Sequence, residues 1–243
     1  MVNTFITRYP IQDAIADLDN RRLNKQRVEA NQILRCLLSA HAIAEIYDLP
    51  KCPQGIEVEF DLQREKWYKD TYDWYKHYCF NKKTYLYYTD TEYSLDETPD
   101  SKIVKFGFVY HPMTYAWIGY ENGLKSYINV CIDEWRARGF KCDLNYYYIE
   151  IPDNPDHLYP WWVKSQALQL SHRSALYRKE IARKEVAHYR NIPSIVSIRN
   201  TPYYRTGYLW TKHLTLAERI RVKNNEENCH LLCHKILNDF PTD

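Results

Sequence analysis

A chain of 243 residues, 45% hydrophobic and 15% aromatic, is long and apolar enough to bury a core without disulfides. No apolar run approaches the roughly 18 residues of a membrane span and the start lacks a signal-peptide pattern, so the sequence reads as soluble and intracellular, in cytoplasm, nucleus or a virus particle. The formal charge of +2 does not by itself imply nucleic-acid binding; any such reading rests on where the charges sit.

After Tyr9-Pro10, residues 12 to 40 read as a long first helix. The i, i+3, i+4, i+7 spacing puts Arg22, Lys25, Glu29 and Gln32 on one stripe. Leu23, Ala30, Leu34 and Leu37 fall on a different side, so the charged stripe is expected to face outward while the helix stays packed. One carboxylate then sits among cations, and such a surface can hold a phosphate backbone and keep Glu29 close to whatever that backbone presents. The competing reading is a solvated helix face with an ordinary Lys25 to Glu29 pair.

Residues 60 to 80 read as a second helix rich in tryptophan and tyrosine. The acidic stretch from 90 to 100, without lysine or arginine, reads as a loop that would repel DNA. Helical periodicity returns from Met113 to Arg138, with Trp117, Leu124, Ile128 and Cys131 on a shared face and Gly139 placed to end it. Tyr146 to Ile151 reads as a short strand cut off by Pro152. Residues 162 to 190 are again helical, and between Trp161 and Arg190 seven lysines and arginines face two glutamates, a second basic patch. Thr215 to Leu237 reads as a final amphipathic helix. The fold class is therefore mainly α, a single compact helical domain over 1–243.

Seven scattered cysteines, an odd number, do not form a secreted disulfide framework. Cys229, His230, Cys233 and His234 repeat at i, i+4, but the two pairs point about 100° apart around a helix, which suits buried thiols better than one tetrahedral metal ion. Twenty-three tyrosines, many between residues 41 and 105, are a heavy load of side chains that pack at one end and stay wet at the other.

Several segments in order resemble one family. They are Asn3-Thr4-Phe5, the Leu18 to Leu34 helix, and His111-Pro112 followed by Trp117 to Glu121 and Glu134 to Phe140. Pro160-Trp161-Trp162, Ser171 to Lys179, Tyr189-Arg190 and Tyr208-Leu-Trp210 continue the series. The pattern is similar to the pyrimidine-dimer DNA glycosylase/AP-lyase family of the phage endonuclease V type. The resemblance implies a compact helical fold, binding of damaged double-stranded DNA, and base removal coupled to strand cleavage, with no metal or other cofactor. It also implies that the α-amine of the mature N-terminus is the nucleophile and that one carboxylate of the first long helix is essential. Here Glu29 matches that carboxylate, and Val2, small enough for Met1 to be removed, supplies the amine. Residues 41–105 then read as a tyrosine-rich insertion and 211–243 as a C-terminal helical extension.

On this reading Arg21, Arg22, Lys25 and Arg27 hold phosphates along the first helix, and Arg173, Arg178, Lys179 and Arg190 hold the other flank. His172 is expected at phosphate or the lesion edge, or else in a structural role. Trp161 and Trp162 read as a wedge at an unstacked site or as core. The alternative function is non-catalytic DNA binding on the same fold, architectural or virion-associated. The insertion offers a surface for a protein partner.

Overall fold

The computed structural model describes residues 4–55, 58–78, 85–88, 93–96, 108–142, 147–148, 151, 158–183 and 211–224. The fold is mainly helical. Residue contacts group into two compact units, one made of Met1–Thr4 with Arg22–Tyr159, the other of Phe5–Arg21 with Pro160–Asp243.

The first long helix of the sequence is two helices, α1 (Ile11–Ala16) and α2 (Asn20–Ile46). Pro10 caps α1, and Asp17 ends it while its carboxylate accepts a 2.7 Å bond from Arg8. Asp17 and Asp19 are short polar residues that compete with the helix for backbone partners, which is where the periodicity alone runs through the break.

In the first unit α2 contributes Leu23, Ala30, Ile33, Leu34 and Leu37 to the core, all at most 1% exposed. Its C-terminal end begins the tyrosine-rich region: Ala42 and Ile43 form a cluster with Tyr75, against which Tyr47, Leu49, Tyr72 and Trp74 pack. These aromatic residues come from α3 (Leu62–Tyr78) and from the segment before it. A turn with positive φ at Glu59, Phe60 and Asp61 leads into α3, closed by a buried Asp61–Arg64 ion pair at 2.8 Å. Two short antiparallel strands follow, β1 (Tyr85–Tyr88) and β2 (Tyr93–Asp96), paired from Tyr85 with Asp96 to Tyr88 with Tyr93. Part of the acidic stretch read as loop is thus the second strand of a hairpin, because Tyr93, Ser94 and Leu95 find a partner strand that no local signal announces.

Met113 to Arg138 also divides, into α4 (Pro112–Ala116) and α5 (Glu121–Ala137). Pro112 starts α4, and the His111 side chain accepts the Met113 N–H. Gly119 makes the break: its φ is +80°, and a Cβ there would run into the Arg64 side chain. Gly139 ends α5 as expected. Phe140 N–H donates back to Trp135 O and Gly139 N–H to Arg136 O, and the Phe140 and Trp135 rings stack at 4.2 Å.

In the second unit a 3₁₀ turn at Trp161–Lys164 leads into α6 (Gln166–Ala182). Residues Ile6, Ile11, Ile15 and Leu18 are buried, as are Trp162, Val163, Leu168, Leu176 and Val222. The last described helix, α7 (Leu216–Lys223), starts at a full capping box between Thr215 and Glu218. The remainder of the predicted final helix lies outside the described residues. So does most of the Tyr146 to Ile151 stretch, whose described residues, Tyr147, Tyr148 and Ile151, are not in a strand.

Candidate active site

Glu29 sits midway along α2 and is only 6% exposed. Its two oxygens have different neighbours. Lys25, one turn earlier, approaches Oε1 at 3.3 Å from the solvent side. Gln26 Nε2 approaches Oε2 at 3.5 Å from within the unit. The Gln26 Oε1 in turn accepts a 2.9 Å bond from the Tyr127 hydroxyl of α5. Tyr127 is fully buried; burial first, then the neighbouring Cys131 and the Glu29 charge, push its pKa well above the usual tyrosine value. It is therefore a permanent donor at any working pH.

The same buried group reaches the start of the chain. The Trp117 indole lies 6.1 Å from the Tyr127 ring, and its Nε1 donates to Thr4 Oγ1 at 2.9 Å. Thr4, Trp117 and Tyr127 have no solvent exposure at all. A buried threonine two residues from Val2 is thus linked to Glu29 through Trp117, Tyr127 and Gln26. Val2 itself lies outside the described residues.

The expectation of one outward charged stripe on α2 is corrected. Arg22 and Glu29 turn inward and are buried, whereas Lys25 and Gln32 are exposed. The outward stripe is Arg21, Lys25, Val28 and Gln32, with Val28 39% exposed. The assumption that polar means outward fails because α2 buries side chains on more than one face, and the second face carries Arg22, Gln26 and Glu29. Arg27 is half-buried: it donates to Asn24 Oδ1 at 2.7 and 2.9 Å, meets the Cys142 sulfur at 3.0 Å and lies over the Trp135 ring at 5.3 Å.

On α6 the residues expected to bind DNA hold the chain segment 5–7. Ile6 N–H donates to His172 Nδ1 at 3.0 Å, and Arg173 Nε donates to Thr7 O at 2.7 Å. The Phe5 ring meets His172 edge-on at 6.1 Å and lies under the Lys179 ammonium at 4.6 Å. His172 is 2% exposed, so the expectation of a phosphate or lesion contact gives way to a structural role. Ser171 and Trp162 are likewise buried; the serine donates to Leu168 O, and the tryptophan ring meets His172 at 6.0 Å. The Arg178 side chain and all of Arg190 lie outside the described residues.

Burial, the Lys179 charge opposing protonation with it, pushes the His172 pKa from 6.5 down to about 4. Below pH 6.5 an unfolded chain binds a proton that the folded one refuses, so this stabilising contribution is complete above that pH and is lost as pH falls towards 4. Unfolding free energy is expected to drop by about 2 kcal/mol between pH 7 and pH 5 from this residue alone, measured by urea denaturation. The His172→Gln variant is expected to lose that part of the slope.

Among the described residues no group of three or more histidine, cysteine, aspartate or glutamate side chains converges as a metal site, and no helix is long and apolar enough to cross a membrane. The pairs Cys229, His230 and Cys233, His234 lie outside the described residues. Cys36, Cys52 and Cys131 are buried free thiols, and Cys131 is held protonated by burial.

The sequence spacing placed Lys25 beside Glu29 but gave no sign that Gln26, Tyr127, Trp117 and Thr4 link up behind it. Within α2 the one local signal is a glutamine at i−3 from the carboxylate. A sequence model described as pyrimidine dimer DNA glycosylase matches residues 2–148, a span that contains all of these residues and ends before α6. Neither the curated proteins nor the solved structures gave a match.

Proposed function

The chain belongs to the pyrimidine dimer DNA glycosylase family, the match covering more than half of its length, and from this we propose that it removes the damaged base with the Val2 α-amine as nucleophile and Glu29 as the essential carboxylate. The observation that carries the proposal is a buried carboxylate, Glu29, linked through Gln26, Tyr127 and Trp117 to Thr4. Chain connectivity keeps the Val2 nitrogen within about 8 Å of the Thr4 Cα.

The chemistry needs no reactant besides water. The amine lone pair forms a bond to the sugar C1′ as the bond from C1′ to the base breaks, and the base leaves with the bonding electron pair and one of the two amine protons. The nitrogen lone pair then expels O4′, the second proton passes from nitrogen to O4′, and the ring opens to an imine. Removal of a C2′ proton then expels the 3′ phosphate by β-elimination, and water hydrolyses the imine to return the amine. Glu29 serves as the negative charge beside the cationic C1′ centre and as a proton acceptor when the ring opens. An α-amine suits this task because its ordinary pKa of about 7.7 to 8.0 leaves a useful fraction unprotonated near neutral pH.

Double-stranded DNA is the substrate partner on this reading. The exposed cations of α2, Arg21 and Lys25, supply phosphate contacts, with Arg27 beside them. Arg22 is buried, as Glu29 is, and does not share the outward stripe. Within the second unit Arg173 and Lys179 contact residues 5–7.

The test is borohydride trapping of the full chain, its N-terminal mass verified, on duplexes carrying a thymine dimer or an abasic site. A covalent complex on the dimer duplex is expected. Binding with no complex on either duplex overturns the reading in favour of non-catalytic DNA binding, and a complex on the abasic duplex alone confines it to the lyase step.

A further inference from the structure

We propose that Tyr127 and Gln26 form a positioning relay that fixes the Glu29 carboxylate for the reaction, an inference that rests on the glycosylase reading of the same site. The relay has a defined direction. Cys131 lies in hydrogen-bonding contact with the Tyr127 hydroxyl, and both groups stay protonated because burial raises their pKa. The Tyr127 proton goes to Gln26 Oε1 at 2.9 Å, since that oxygen can only accept. With its carbonyl end occupied, the Gln26 amide presents its NH2 end to Glu29 Oε2 at 3.5 Å.

Two features separate this arrangement from ordinary core packing. The chain of donors ends on the one carboxylate that the reaction uses. Its members Gln26 and Tyr127 are 1% and 0% exposed, so water does not replace them, whereas the Lys25 contact on the opposite oxygen comes from a side chain that is 59% exposed. The exposed lysine is free to exchange Glu29 for phosphate when DNA binds, so the buried relay is what keeps the carboxylate in one rotamer during turnover. Tyr127 also abuts Trp117, the residue that holds Thr4, so the same ring sets the carboxylate on one side and the start of the chain on the other.

The test uses single-turnover kinetics of the full chain on the dimer duplex, with DNA affinity and thermal midpoint measured beside it. Tyr127→Phe removes one oxygen and keeps the ring; Gln26→Met keeps the length and removes both ends of the amide. Each is expected to lower the rate at saturating DNA about tenfold with the dissociation constant changed less than about twofold, and the double variant is expected to be no slower than the slower single one. Rates of both single variants within twofold of wild type overturn the relay. So do losses that multiply in the double variant, or losses that appear only as weaker binding. If Tyr127→Phe does not fold, Gln26→Met carries the same comparison. Wild-type chain that neither turns over nor traps removes the glycosylase reading and the relay together, an outcome distinct from active wild type with indifferent variants.

Discussion

Glu29→Gln is expected to lower turnover on dimer-containing duplex by about 10²- to 10⁴-fold while leaving DNA affinity within about twofold of wild type. The substitution preserves shape and removes only the charge and the ability to take a proton. Both losses matter more here than on an open surface, because the carboxylate is 6% exposed and water does not stand in for it. Affinity survives because the exposed cations Arg21 and Lys25 lie on the outward stripe of α2 and keep their charge. Lys25 even gains freedom, since its 3.3 Å partner becomes neutral. The measurement is single-turnover base release beside a binding titration at fixed salt. Equal loss in both reports a folding defect, and an unchanged rate removes Glu29 from the chemistry.

The parts of the fold legible in the sequence were those written in local chemistry. Gly139 after Arg138 announced the end of α5, and the Leu23, Ala30, Leu34, Leu37 spacing announced the buried face of α2. Two breaks were not legible by periodicity, at Asp17–Asp19 and at Trp117–Tyr120, because the apolar positions keep helical phase across a short turn. The hairpin Tyr85–Asp96 was hidden for a different reason: the acidic residues of the stretch read as loop, whereas its strand is held by pairing with β1, four residues before it.

The site divides along the same line. The Lys25 contact of Glu29 was legible because a carboxylate one turn from a cation on a helix is a local pattern. The burial of Glu29 was not, since burial depends on what α5 brings to the second face of α2. Tyr127 and Gln26 are separated by about a hundred residues, and only their contact at 2.9 Å gives the glutamine a meaning. On α6 the charges were legible and their neighbours were not. Arg173 donates to Thr7 O, Lys179 lies over the Phe5 ring, and the buried His172 accepts from Ile6 N–H. Charge counting sees the cations and not the chain segment that lies across them.

Blocking the α-amine is expected to abolish the trapped complex altogether, the largest effect of any change to this chain. Reductive methylation near pH 7 favours the terminus, because an ordinary α-amine is on the order of a tenth unprotonated there and an ordinary lysine less than about one part in a thousand. The dimethylated nitrogen is tertiary and has no proton to lose, so it cannot form a neutral imine with C1′. DNA binding is expected to persist, since methylation keeps the charge of any lysine it reaches. Two readouts, trapping and binding on the same sample, therefore separate a lost nucleophile from a lost surface. Trapping that survives a complete block assigns the nucleophile to a lysine, and the geometry then names Lys25, whose Nζ lies 3.3 Å from Glu29. In that event Lys25→Arg, which retains the charge and cannot form the imine, is expected to end trapping where the blocked terminus did not. The order of these two results fixes which nitrogen Glu29 serves: a terminal amine carried just ahead of Thr4, which Trp117 holds, or a side chain one turn away on the same helix.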